Sequence, residues 1–220
     1  MEIKISLNSE NIRQVQSCTY LGLEIDDELK WKLHIEKIKK KLLRFVGIFY
    51  KLRDILPTNI RKQLYFALIY PHIIYGIETY ANTCYSYLEP LIVLNNKILR
   101  ILQNKKMDTP IKELYKSYNT IPIPELHIMY IAKFVYKCYY LKIELPEVFQ
   151  DYYVLNDVIH DHFTRNSKEI HEAVTSSKYG FKSVRQKGGR LWNGLPNDCK
   201  KRMSLNKFCQ NIKNMYYLET

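Results

Sequence analysis

The sequence lacks three features that would place it quickly: a long apolar run, a cysteine framework and a glycine-rich phosphate loop. The uncharged stretch from Leu64 to Ile77 has 14 residues and includes Pro71 and His72, whereas a bilayer-spanning helix needs about 20 apolar residues. No membrane is therefore expected among the partners. The start, Met1 to Lys4, alternates polar and apolar residues instead of forming an apolar core, so no secretory signal is expected and an intracellular location, nuclear or cytoplasmic, is. The five cysteines, Cys18, Cys84, Cys138, Cys199 and Cys209, are odd in number and widely spaced. That suggests neither a disulfide framework nor a CxxC-type zinc site, and it fits a reducing compartment. GxGxxG, the phosphate loop and GxSxG are absent, and Gly188-Gly189 lacks the strand-turn-helix context such motifs need. Neither a cofactor nor a small-molecule substrate is expected.

What the chain has is size, charge and helical periodicity. At 220 residues with 46% hydrophobic content it can bury a sizeable core. Its formal net charge of +12 is regional. The segment from Lys30 to Lys62 carries eleven basic residues against Glu36 and Asp54, and that from Lys178 to Lys207 carries nine against Asp198. The rest of the chain is net acidic. Clustered cations of this kind suit a surface that meets phosphate, because each one displaces condensed counterions; solvation of helix faces is the plainer alternative.

The first 27 residues alternate at period two around Ile3, Ile5 and Leu7, turn at 8–11, and resume through Tyr20 to Ile25, which predicts a small antiparallel β segment. From Trp31 the period changes. Trp31, Ile35, Ile38, Leu42, Phe45, Phe49 and Leu52 recur at alternating steps of four and three, predicting an amphipathic helix of about six turns whose other faces carry Lys30, Lys37, Lys39, Lys40, Lys41 and Arg44. Leu56-Pro57 ends it, Thr58 is placed as the next N-cap, and a kink is expected near Pro71. Ser86 and Glu89 have capping-box spacing for a helix through Leu91, Leu94, Ile98 and Leu102. A short helix after Thr109-Pro110 and a longer one after Ile121-Pro122-Ile123-Pro124 come next, the latter with Leu126, Ile131, Phe134, Cys138 and Leu141 inward. The glycine-containing stretch from Thr175 to Pro196 reads as loops or a hairpin, and Ser204 caps a final helix through Leu205, Phe208, Ile212 and Tyr216.

Local chemistry is sparse. Asp26-Asp27 follows a strand and precedes Leu29, where a turn or helix cap is its ordinary role. Asp157, His160, Asp161 and His162 form the densest set of potential metal ligands, but without a partner cluster elsewhere they read as a solvated segment. Tyrosines interleave with lysines at Tyr130, Lys133, Tyr136, Lys137, Tyr139 and Tyr140, a pattern that can stack on bases but at helical spacing favours packing. No metal site and no catalytic residue are assigned.

Several ordered matches carry a resemblance. Tyr20-Leu21-Gly22-Leu23-Glu24-Ile25-Asp26, with Leu29-Lys30-Trp31 and His34-Ile35, resembles the segment after the catalytic palm in reverse transcriptases of Jockey-like non-LTR retrotransposons. Gly47-Ile48, Lys51-Leu52, Leu56-Pro57, Leu64-Tyr65 and the run from Leu68 to Gly76 resemble that family's thumb helices in order. The segment from Leu94 to Ile101 resembles the helix after them. Thr164-Arg165, Gly180, Trp192-Asn193-Gly194-Leu195-Pro196, Ser204 and Phe208 resemble its terminal segment. The Tyr-x-Asp-Asp turn that supplies metal-binding carboxylates in such polymerases does not occur here.

The resemblance implies a mainly α fold: a helical thumb-like bundle with a small antiparallel β segment at the N-terminus and a loop-rich C-terminal region. The expected divisions are 1–29 as a palm-derived, primer-grip-like β segment, 30–145 as a thumb-like helical domain, and 146–220 as a basic region with a terminal helix. It further implies a non-catalytic C-terminal fragment of the polymerase that binds an RNA–DNA or DNA duplex without sequence preference. Tyr20, Leu21 and Gly22 would lie in the primer-grip hairpin, and Trp31, His34, Lys37, Lys40, Lys41 and Arg44 on the thumb face toward the duplex. A helical module for a protein partner and a functionless relic of the element are the alternatives.

Overall fold

The structure is a computed structural model that describes residues 5–8, 10–159, 166–172 and 174–219. Two antiparallel hairpins come first. β1 (Ile5–Leu7) pairs with β2 (Glu10–Ile12), and β3 (Ser17–Tyr20) pairs with β4 (Leu23–Asp26) in the register Tyr20 opposite Leu23. Leu21 and Gly22, both at positive φ, close the second hairpin with a two-residue turn of the type whose twist matches paired strands. Helices make up most of the remaining chain, so the fold is mainly α as expected.

Helix α1 (Lys32–Leu52) buries Ile35, Ile38, Leu42 and Phe49, the stripe its four-and-three spacing defines. Each such side chain contributes about 1.5–3 kcal/mol of transfer free energy before ordering costs. Trp31, in the left-handed region, starts the helix, and the Asp26 carboxylate accepts the Lys30 and Trp31 amides at 2.8 and 2.7 Å. Asp26 thus has a capping role, with its oxygens committed to backbone.

After Pro57, α2 (Thr58–Leu64) runs into a wide π turn at Tyr65–Ile69 and then α3 (Tyr70–Ile74). Pro71 explains that turn. It has no amide to give the Ala67 carbonyl, and the Tyr70 amide reaches back five residues to Tyr65. Steps of four drift by about 40° each in a regular α-helix, yet Tyr65, Ile69, Ile73 and Ile77 are all fully buried. The wide turn and a left-handed break at Gly76 absorb the drift.

Helix α4 (Ile77–Tyr80) leads to α5 (Tyr85–Gln103), which packs along α1. Its cap is Cys84 and not Ser86, and α2 is preceded by Pro57 with Thr58 as its first residue. Between these layers the Tyr65 hydroxyl donates to Asn95 Oδ1 at 3.2 Å. Asn95 Nδ2 donates to Tyr115 Oη at 2.9 Å, and that hydroxyl donates to Asn96 Oδ1 at 2.7 Å. This buried chain satisfies each polar group it contains. Helix α6 (Ile111–Tyr118) carries Tyr115 and ends at a left-handed Asn119.

Helix α7 (Ile123–Tyr140) is the hub of the second half, contacting α4, α10 and α12. Its interleaved tyrosines pack: Tyr136 is fully buried between Trp192 and Phe208. After α8 (Asn156–Ile159), the stretch read as loops or a hairpin is helical instead: α9 (Lys178–Lys182) and α10 (Val184–Gly194). Ser177 and Ser183 cap them through the Gly180 and Gln186 amides. The misreading has a physical cause, since α10 presents Gly188 to its neighbours. A Cβ there would overlap the Tyr153 hydroxyl and lie 2.8 Å from Val135 of α7. Close approach is bought with missing side chains, which leave no apolar period to detect. Helices α11 (Asn197–Lys200) and α12 (Leu205–Glu219) complete the chain, α12 being capped by Ser204 Oγ as expected. A continuous buried cluster runs from Ile35 to Ile212.

Candidate nucleic-acid interface

The β3–β4 hairpin lies across the start of α1, and the joint is tight. Leu23 of β4 packs on Gly76, where an added Cβ would stand 2.7 Å from Leu23 Cδ2. The Tyr75 hydroxyl donates to the Leu21 carbonyl at 2.5 Å. From β4, the Glu24 amide donates to His34 Nδ1 at 3.2 Å and the Glu24 carboxylate meets Lys37 Nζ at 2.9 Å. The hairpin is thereby fixed to both α1 and α3.

These contacts leave a cleft of about 270 Å³ whose walls include Gly22, His34, Lys37, Lys41, His72 and Tyr75. Four of the residues singled out in the sequence, Gly22, His34, Lys37 and Lys41, therefore converge although the hairpin and the helix are separate elements. His72 and Tyr75 join them from α3 and its end. Sequence periodicity assigns those two only to a helix, and a lone histidine inside an uncharged run is the one signal that marks them.

Among the described residues no carboxylate lines the cleft. Glu24 stands behind Lys37, and its carboxyl is held below the usual range first by the hydrogen bond from Lys37 and then by that from Thr19. His34 is 4% exposed. Burial, followed by the nearby Lys37 charge, lowers its pKa to about 4. It is neutral at pH 7, with Nδ1 accepting from Glu24 and Nε2 left to carry the proton in a buried position without a partner. His72 is shifted down as well, by burial and then by Lys41. Lys37 is paired with Glu24, so the uncompensated positive charge among the described residues lining the cleft is that of Lys41, while the neutral His34 ring shapes its wall.

Outside the cleft, Lys40 and Arg44 are exposed and carry the charged surface of α1 onward. Tyr20 and Leu21 project from the hairpin tip, 63% and 73% exposed. Trp31 departs from this group. It is half-buried and lines a different opening with Lys30, Tyr87 and Tyr179. The sequence-marked residues thus divide into a hairpin tip, a cationic cleft with its outer face, and a tryptophan at a neighbouring opening.

Other candidate chemistry does not assemble. Among the described residues no three His, Cys, Asp or Glu side chains are placed to hold a metal ion. Asp157 is described, but His160, Asp161 and His162 lie outside the described residues, as do Thr164 and Arg165. No described helix is long and apolar enough to cross a membrane.

Over 100 residues, 44% of the chain, the sequence is 29% identical to the RNA-directed DNA polymerase from mobile element jockey of Drosophila melanogaster. The match spans 11% of that protein's length. No family model and no solved structure matches the chain. The likeness supports a relation to the reverse transcriptases of non-LTR retrotransposons.

Proposed function

We propose that this chain corresponds to the thumb and C-terminal part of a non-LTR retrotransposon RNA-directed DNA polymerase, and that it holds a template–primer duplex through phosphate contacts without contributing catalytic carboxylates. The observation that carries this reading is the carboxylate-free cleft at Lys37 and Lys41, continued outward by Lys40 and Arg44 and bordered by the hairpin tip. Cations so arranged neutralise phosphates and read duplex shape, contacts that carry no base-sequence information. Tyr20, Leu21 and Gly22 at the tip would position the primer end. The basic helix α1 belongs to the thumb-like segment 30–145, and the duplex is its partner.

An anisotropy titration with an RNA–DNA hybrid tests the proposal. Affinity should fall steeply as salt rises, with a logarithmic slope of about 0.7–0.9 per phosphate contact. Reversing the charge of Lys40, Lys41 and Arg44 together should abolish binding. Affinity that stays flat across salt, or that survives the triple reversal, would exclude phosphate contacts by this face.

A second reading has its own observation. Leu43 and Tyr50, seven residues apart and so on one face of α1, are exposed large hydrophobic residues, a pair that a protein partner would cover. The same charge reversal separates the two, because an apolar interface would largely withstand it.

A further inference from the structure

The opening that takes Trp31 has no role in duplex binding through α1, and its lining is unlike that of the cationic cleft. It measures about 310 Å³, near the lower limit of small-ligand pockets. Its walls are mostly apolar and include Trp31, Tyr87 and Tyr179, with Lys30 and Lys182 among the polar residues. Two carboxylates, Glu28 and Glu78, also line it, and Lys30 meets Glu28 at 2.6 Å.

The charges balance, and the balance selects the occupant. A phosphate inside would face two carboxylates, and an organic cation would face two ammonium groups. A flat neutral group against aromatic rings meets neither objection. Part of the hydrogen-bonding capacity nearby is already used. The Asn82 amide donates to the Lys182 carbonyl and accepts from Lys187, Thr83 Oγ1 donates to the Lys30 carbonyl, and Thr79 Oγ1 to that of Gly76. Stacking on the three rings would carry no sequence preference, because every base has a π-face.

Position connects this opening to the cationic cleft. The cleft lies between α1 and α3, the opening between the residues just before α1 and the α4 region, and Leu23 on Gly76 packs at the hairpin's joint with the α3–α4 turn. Trp31 stands immediately before the helix that carries Lys37 and Lys41. One strand with phosphates at Lys37 and Lys41 could therefore place a nearby base at Trp31.

We propose that the opening formed by Trp31, Tyr87 and Tyr179 is a stacking site for an unpaired nucleobase, taken from a single-stranded extension of the duplex bound along α1. The inference rests on the duplex reading above and adds a second class of ligand, an unpaired nucleotide. Tyr179 is 61% exposed, so its substitution leaves the core intact.

The test uses the full chain with three probes: a blunt RNA–DNA hybrid, the same hybrid with an unpaired adenylate overhang at one end or the other, and free oligo(dA). One overhang should bind about tenfold tighter than the blunt hybrid, within the range of one stacked base. Tyr179→Ala should remove most of that gain and leave blunt-hybrid affinity unchanged, while Tyr179→Phe should keep the gain. Equal affinity for blunt and overhanging hybrids overturns the stacking site, as does a gain that Tyr179→Ala does not reduce. If oligo(dA) binds in a Tyr179-dependent way and the blunt hybrid does not bind, the stacking site stands and the duplex reading falls. If none of the probes binds, both fall.

Discussion

Replacing Gly76 by alanine tests how the hairpin is seated on the helices that form the cleft. Gly76 has a φ of +67°, and an added Cβ would lie 2.7 Å from Leu23 Cδ2 and 3.1 Å from Cδ1. Two separable costs arise. A non-glycine residue in the left-handed region costs about 1–2 kcal/mol, which no neighbour can relieve. Forcing a methyl group into filled space adds about 1–3 kcal/mol, less whatever Leu23 can yield by rotating its branched end. Gly76→Ala should thus destabilise the protein by about 2–5 kcal/mol, read as a lower urea midpoint at unchanged slope.

Leu23→Ala removes the methyls that the new Cβ would meet. In the double variant the steric cost should vanish and the conformational cost remain, giving a coupling of about 1–3 kcal/mol between the two sites. A Gly76→Ala protein within about 0.5 kcal/mol of the parent would refute the left-handed placement. Strict additivity in the double variant would refute the contact with Leu23.

Two further outcomes concern groups buried elsewhere. His34 and His127 both have pKa values lowered to about 4, chiefly by burial and then by Lys37 and Lys187 respectively. The unfolded chain protonates these rings near 6.5 and the folded one does not, so stability should be full above about pH 6.5 and decline as pH falls toward about 4; urea midpoints that stay level across that window would contradict it. Tyr136 Oη accepts the Met203 amide at 2.7 Å and donates to the Met203 carbonyl, so Tyr136→Phe should cost about 1 kcal/mol by leaving a half-buried amide and carbonyl without this partner. An unchanged melting midpoint would show that the tie between α7 and the start of α12 carries no energy.

The duplex reading and the stacking site make different demands on α1. The first needs Lys40, Lys41 and Arg44 to stay in water, as they do. The second needs the chain to leave the helix axis just before Lys32, which the left-handed backbone at Trp31 accomplishes. Asp26 holds that departure through the Lys30 and Trp31 amides, so one acidic residue links the hairpin and the helix start.

Periodicity in the sequence by itself determined the helical stripe of α1, the presence of a small antiparallel β segment before it, the break at Pro57 and the Ser204 cap. Each is a local consequence of side-chain spacing or of one residue's hydrogen-bonding capacity. The regional charge was equally legible, because charge does not depend on the fold. Only the tertiary structure decided that Gly22, His34, Lys37 and Lys41 share a cleft with His72 and Tyr75, that His34 is buried and neutral, and that Trp31 belongs to a separate opening. Those outcomes depend on how the hairpin docks against α3, through Leu23 on Gly76 and Tyr75 on Leu21, and contacts between residues more than fifty positions apart leave no period in the chain. Helix α10 stayed hidden for a related reason: its buried face is Gln186, Gly188, Gly189 and Trp192, and one polar residue with two glycines leaves Trp192 without an apolar period around it.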